Sequence, residues 1–247
     1  MKKLMSQTAE SYRLAAVFLV AAFPLVCLPI FFEGLQHIAE VRLGMFAGEG
    51  SSELSETAQA IRLSFGALKV ISIIATTVFV TRFFLHGKNV RRALQFSATA
   101  KKAILVGCLV MVVAMVLAFL VGPAFLRFLK PDISAAKAML IPFLLLLFAG
   151  FPLQNKINGW MAYVFDDTPL SDMQNKSLNK AMKGGFSAVI LATFLPTMVL
   201  HYFLNMQAMG GTAAQLWVLL TLDSFVVGVL ACLLGASYYV VYRDGRR

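Results

Sequence analysis

The sequence predicts an all-α, polytopic membrane protein: a six-transmembrane-helix bundle with interfacial helices. Three observations carry that expectation. Hydrophobic residues make up 59% of the 247 residues and charged residues only 14%, against about 45–50% and about 25% in soluble domains. The apolar residues fall into six runs, each near the roughly 20 residues that a helix needs to cross hydrocarbon. No alternating pattern of the transmembrane-barrel kind occurs, and helices satisfy their own backbone in lipid. Every connection is shorter than the roughly 50 residues of the smallest independent domains. The whole chain, 1–247, is therefore expected to be a single integral membrane domain.

The first span is expected at about 14–32. Lys2 and Lys3 give it a basic start, but no small-x-small cleavage site follows before Glu33, so it is kept as a span rather than read as a signal. Cys27 follows Leu25 and Val26, which argues against a lipoprotein site. Pro24 and Pro29 are expected to kink this span, because proline cannot donate to the helical ladder. Glu33, His37 and Glu40 then recur at i, i+4 and i+7, on one helix face. The helix is expected to run on to about Met45. Gly48, Gly50, Ser51 and Ser52 read as a turn. Ser52 or Ser55 would cap the next helix, with Glu53 and Glu56 in its first turn.

The second span, at about 63–85, would close a long hairpin with the first. Residues Gly87–Lys102 set Lys88, Arg91 and Arg92 beside Val90, Leu94 and Phe96, an interfacial composition. Lys88, Arg91, Arg92, Lys101 and Lys102 are expected to contact lipid headgroups. The third span is expected at about 103–126 and the fourth at about 138–153. Gln154–Phe165 is again interfacial in composition, and Thr168–Pro169 is a helix start for a segment reaching Lys183. Gly184 and Gly185 break it before the fifth span, at about 186–204. The sixth span is expected at about 216–241. Ala22-Phe23-Pro24-Leu25 matches Gly150-Phe151-Pro152-Leu153 loosely. The two prolines lie at different depths, so no internal repeat is inferred.

Charge sets the expected orientation. One side of this six-span arrangement carries sixteen of the 22 Lys and Arg residues, including Lys2, Lys3, Arg82, Arg91, Lys180 and Arg246. The other carries Arg42, Arg62, Arg127, Lys130 and Lys137, with Lys69 inside the second span. The positive-inside rule then places both termini in the cytoplasm. The compact loops and short basic tails suggest a bacterial inner (plasma) membrane. The net charge of +10 reads as an attraction to anionic lipid at the cytoplasmic face, at about 1 kcal/mol per residue near the surface. Nucleic-acid binding is excluded as a reading, because the positives are spread over short segments. Cys27, Cys108 and Cys232 all fall within apolar runs, so neither a disulfide nor a metal site is expected from them.

Two ionisable residues lie inside spans: Lys69 and Asp223. A charge at the bilayer centre costs at least about 2.5–3.5 kcal/mol, so it usually faces the bundle interior and a partner. Counted at 1.5 Å per residue, both lie roughly 9–11 Å below the outer boundary. Equal depth and opposite sign pair them. His201 lies on the same outer side, and Glu33 and His37 hang over it from the first span. Glu33, His37, Lys69, His201 and Asp223 are therefore expected to form an outer-half polar cluster. Its functional reading is a proton-responsive or ion-handling site, and its structural reading is an interhelical lock. Glu33, His37 and Glu40 also have the spacing of a metal half-site, but a solvated acidic helix explains them, and no metal or other cofactor is expected. Asp166, Asp167 and Asp172 are read as flanking a helix start rather than as a Mg²⁺ motif.

No nucleophile elbow, zinc-protease motif, P-loop or dinucleotide fingerprint occurs, so an enzyme is not favoured. Three function classes follow, in order. The first is a small transporter or an ion- or proton-responsive protein using the polar cluster, acting as a homo-oligomer. The second is a non-catalytic subunit or assembly partner of another membrane protein. The third is an intramembrane enzyme acting on lipid or diphosphate substrates.

Overall fold

A computed structural model describes residues 2–47, 56–117, 121–133, 141, 164–165 and 187–246. Those residues are mostly helical, and none of them is in a strand. Eight helices can be traced among them: α1 (Lys2–Ala21), α2 (Phe23–Arg42), α3 (Glu56–Leu85), α4 (Val90–Leu94), α5 (Ala98–Val116), α6 (Gly122–Leu129), α7 (Ser187–Ala208) and α8 (Ala213–Arg246). The chain divides into two units, Met1–Gln95 with Lys180–Arg247, and Phe96–Asn179.

Three helices of the first unit are long and apolar enough to cross a membrane: Ser64–Leu85, Ala188–Ala208 and Ala213–Gly245. A fourth crossing exists if α1 and α2 count as one broken span. The chain is thus a membrane-embedded helical protein. The expected fourth span at 138–153 and the interfacial segment Gln154–Lys183 lie outside the described residues, apart from Ile141, Val164 and Phe165. The hairpin turn at Gly48–Ser52 lies outside them too.

The expected first span, 14–32, is not one helix. The chain breaks at Ala22, and α1 and α2 meet at 95°. Pro24 is the cause. It has no N–H for the carbonyl of Val20, and its ring would crowd that carbonyl. The last bond of α1 is therefore Ala22 N–H to Phe18 O, 2.8 Å, and Pro24 sits in the first turn of α2, where no N–H is missed. Pro29 lies inside α2 without ending it.

The two ends of this bent pair touch opposite ends of α8. Gln7 donates to Asp244 at 3.0 Å, while Phe46, just past α2, accepts from Gly210 N–H, just before α8, at 3.1 Å. A re-entrant loop would return to the end where it began. The pair instead traverses the unit alongside α8.

Helix α8 is the axis of the unit and packs against α1, α2, α3 and α7. Two glycines let it approach its neighbours. A Cβ on Gly228 would meet Ile30 Cγ1 of α2 at 2.7 Å, and one on Gly235 would meet Val80 Cβ of α3 at 2.5 Å. Small residues and hydroxyls are the usual means of joining helices in lipid, where burial of apolar surface supplies no drive. Accordingly Thr81 donates to Gly235 O at 3.0 Å, Thr77 to Ala231 O at 3.4 Å, and Thr193 of α7 meets Ser237 at 3.1 Å. Around them lies an apolar core of Leu14, Phe18, Val26, Phe83, Leu233 and Val240, with Phe18 and Phe83 edge to face at 5.2 Å.

Helices α2 and α3 end alike. Met45 N–H reaches Glu40 O at 3.1 Å, and Lys88 N–H reaches Phe83 O at 2.7 Å. Gly44 and Gly87 carry the positive φ these endings need, 75° and 67°, as in Schellman caps. Gly87–Lys102 is not one interfacial helix. It is the five-residue α4, capped by Asn89, and then the start of α5, capped by Ser97. Lys88, Arg91, Arg92, Lys101 and Lys102 are all exposed. Arg82 behaves differently. It is fully buried and donates to Ala93 O at 2.8 Å and Gln95 O at 2.7 Å, tying α3 to the end of α4.

Candidate functional site

The five residues of the expected polar cluster meet in the first unit, at the end of α8 away from its C-terminus. Glu33 and His37 come from α2, Lys69 from α3, His201 from α7 and Asp223 from α8. Helix periodicity explains each contribution. Glu33, Gln36, His37 and Glu40 form the buried stripe of the last two turns of α2. Asn205 lies one turn after His201, and Arg62 two turns before Lys69.

Asp223 is the centre. It is fully buried and both its oxygens are engaged. His37 Nε2 lies 2.9 Å from Oδ2, His201 Nδ1 lies 2.7 Å from Oδ1, and Asn205 Nδ2 donates to Oδ2 at 2.7 Å. Asn205 also donates to His201 O at 2.9 Å, which fixes the amide between the two.

Lys69 does not pair with Asp223. Its Nζ lies 2.9 Å from Glu33 Oε2. Counting along a helix gives depth but not direction, and Lys69 projects toward α2 rather than α8. Glu33 itself is 1% exposed, and neither of its oxygens makes a hydrogen bond of good geometry. What faces them is charge: Lys69 Nζ, and His37 Nε2 at 3.4 Å from Oε1.

Glu40 completes the group. It accepts from Gln36 Nε2 at 2.8 Å and from Arg62 Nε at 3.0 Å, and its second oxygen lies 3.4 Å from His37 Nδ1. Gln36, Arg62 and Asn205 do not stand out in the sequence by themselves. Their signal is periodicity, each sharing a helix face with a residue that does.

An ionised carboxylate accepts hydrogen bonds and donates none. His37 has a carboxylate at each ring nitrogen, so a neutral imidazole leaves one of those contacts without a hydrogen. The formal charges point the same way. Glu33, Glu40 and Asp223 are three buried carboxylates, and Lys69 and Arg62 are two fixed cations. With both imidazoles neutral, the described cluster is one positive charge short. An uncompensated charge in such a place costs several kcal/mol.

Three ligand atoms, one each from Glu33, His201 and Asp223, lie within 4.8 Å of one another. The metal half-site spacing of Glu33, His37 and Glu40 thus resolves differently: Glu33 turns toward residues of α7 and α8, and Glu40 toward Arg62. His201 and Lys69 are each 18% exposed, so the buried centre has an edge that reaches the outside. Comparison with known protein families, with curated proteins and with solved structures finds no match.

Proposed function

We propose that the protein is a small cation-handling membrane protein of the transporter class, whose working site is the cluster around Asp223. One observation carries this reading: three buried carboxylates face only two fixed cations. The site therefore attracts one further positive charge, as a proton on an imidazole or as a bound cation. Ionisable groups inside a membrane bundle are costly and commonly mark ion and proton pathways. The 18% exposure of His201 and Lys69 provides the route by which that charge would exchange.

The same reading keeps six spans with both ends on the basic, cytoplasmic side of a bacterial inner membrane. The contacts of Gln7 with Asp244 and of Glu10 with Arg243 support it, since they put the start of α1 beside the end of α8. A chain of this size leaves little room for a wide path within one copy, so the working form is taken to be a homo-oligomer.

The competing reading is an interhelical lock, favoured by the fact that every cluster residue has a partner on another helix or one turn away. Proteoliposomes separate the two. Wild-type protein is expected to dissipate an imposed cation gradient, read with an internal pH dye and with cation-selective dyes. Lys69→Met and His201→Gln should abolish that flux while the protein still elutes as a single species. Flux unchanged by either substitution, or absent from the wild type for every cation tried, defeats the transport reading.

A further inference from the structure

We infer that Glu33, His37, His201 and Asp223 form a binding site for a divalent transition-metal ion of the zinc or cobalt kind, which displaces the Lys69 ammonium as it binds. This rests on the cation-handling reading and names the class of cation.

The donor set holds two imidazoles and two carboxylates, drawn from α2, α7 and α8. Imidazole nitrogen selects zinc, cobalt, nickel and copper over magnesium and calcium, which prefer six or more oxygens. The spacing of the donors fits the same ions. With bonds of about 2.0–2.1 Å, the ligands of a tetrahedral ion stand about 3.3 Å apart. His37 Nε2 is 2.9 Å from Asp223 Oδ2 and 3.4 Å from Glu33 Oε1, already at that spacing. Glu33, His201 and Asp223 offer atoms within 4.8 Å of one another, and His37 and His201 each contact an oxygen of Asp223, so the four donors gather around one carboxylate.

A second observation points to a cation independently. Glu33 is almost wholly buried and aimed into the cluster, yet neither oxygen is hydrogen-bonded. Among the described residues, its ion-pair contacts are the tethered ammonium of Lys69 and the edge of His37. Lys69 holds the place of a cation on a side chain long enough to leave.

The charge balance agrees. The carboxylates of Glu33, Glu40 and Asp223 carry three negative charges, and Arg62 carries one positive charge. A divalent ion brings the group to neutrality with both imidazoles neutral, provided that Lys69 swings out. With Lys69 in and no ion, the same group is neutral only when one imidazole carries a second proton, so ion binding would release that proton. The outer contacts are of the kind that orient metal ligands: Asn205 holds both Asp223 and the backbone of His201, and such contacts usually matter about 10–100-fold in affinity.

The test uses the full chain in detergent, washed with chelator and titrated with Zn²⁺, then with Co²⁺ for its visible absorption. One ion per chain is expected, with the Co²⁺ bands of a four-coordinate nitrogen and oxygen site. His201→Gln and Glu33→Gln should each weaken binding by roughly a hundredfold, more than the outer contacts do. Lys69→Met should tighten it by about tenfold, because a like charge a few ångströms away is gone. A gain of affinity cannot come from misfolding, so that variant keeps the test decisive if the others fold poorly. No binding by the wild type, equal binding by the ligand variants, or weaker binding by Lys69→Met overturns the assignment. If Zn²⁺ fails to bind while proteoliposomes still move protons or monovalent cations, the metal site falls and the cation-handling function stands; if flux is absent as well, both fall.

Discussion

The two ends of α8 solve the same problem in opposite ways. At one end, around Asp223, three carboxylates from α2 and α8 are buried to within 5% of full burial. At the other, Arg243 meets Glu10 through two bonds of 2.7 and 3.0 Å and Asp244 at 2.8 Å, and Gln7 donates to Asp244. That second group is also rich in carboxylate, but its charged members are about a quarter exposed. Water completes what the protein leaves out there. It cannot do so at Asp223. From Asp223 to Arg243 is twenty residues, about 30 Å of helix, which is about the thickness of the hydrocarbon layer. Between them α8 meets its neighbours through Gly228 and Gly235, through hydroxyl contacts and through apolar side chains such as Leu233 and Val240. The lesson is that burial, not the number of charges, decides whether a polar cluster has to balance its charges within itself.

The sharpest way to break that comparison is Asp223→Ala. It strips His37, His201 and Asn205 of a shared acceptor and leaves buried polar atoms without partners. Removing one partner of a buried pair typically costs about 3–5 kcal/mol. A thermal melt of the detergent-solubilised protein should show a larger loss than substitution of Arg82, Thr81 or Arg243 produces, together with loss of Zn²⁺ binding. A melt like the wild type would mean that water reaches Asp223 freely and that the two ends do not differ.

Next comes Arg82→Met, at the basic end. Arg82 is buried like Asp223, and it donates to the backbone carbonyls of Ala93 and Gln95. Losing those bonds leaves the carbonyls without that donor, worth about 1–3 kcal/mol. The expected phenotype is a lower melting temperature with Zn²⁺ affinity unchanged. If Zn²⁺ affinity falls as well, the two ends are coupled through α3 and do not behave as separate sites.

These pairs of residues also show what a sequence can reveal. Lys69 and Asp223 stand out because charge inside an apolar run is rare, and Glu33 and His37 because their spacing marks one helix face. Which of them touch is another matter. Depth along a helix follows from counting, but the direction of a side chain depends on how each helix is rotated against its neighbours. So Lys69 matches Asp223 by level, yet it meets Glu33 by direction. Arg82 counts in sequence among the cytoplasmic cations, and nothing in its neighbourhood announces that the α3–α4 turn folds back over it. The break at Ala22 is half visible. Pro24 marks a defect, but a kink and a full 95° turn leave the same trace in composition.

A smaller effect is expected from Thr81→Val, between the two ends. Thr81 Oγ1 bridges Thr77 O and Gly235 O, at 2.9 and 3.0 Å, where α3 and α8 come closest. Side-chain hydrogen bonds between membrane helices average only about 0.6 kcal/mol. The melt should shift slightly. A large shift would mean that the hydroxyl, and not the glycine contact at Gly235, sets the helix spacing.

The smallest effect should come from Arg243→Gln. It breaks the two-bond pair with Glu10, yet both side chains are about a quarter exposed, and partly solvated pairs contribute about 0.2–1 kcal/mol. Salt should weaken the wild-type pair and so narrow the gap between the melts of wild type and variant. No such narrowing is expected for Asp223→Ala, whose partners are shielded from ions in solution. The contrast in salt response is a more demanding test than either melt alone. Two clusters of similar charge, about 30 Å apart on the same helix, should differ in it only because one is buried. If Arg243→Gln instead costs as much as Asp223→Ala at every salt concentration, burial is not what separates the ends, and the case for an ion site at Asp223 loses its physical basis.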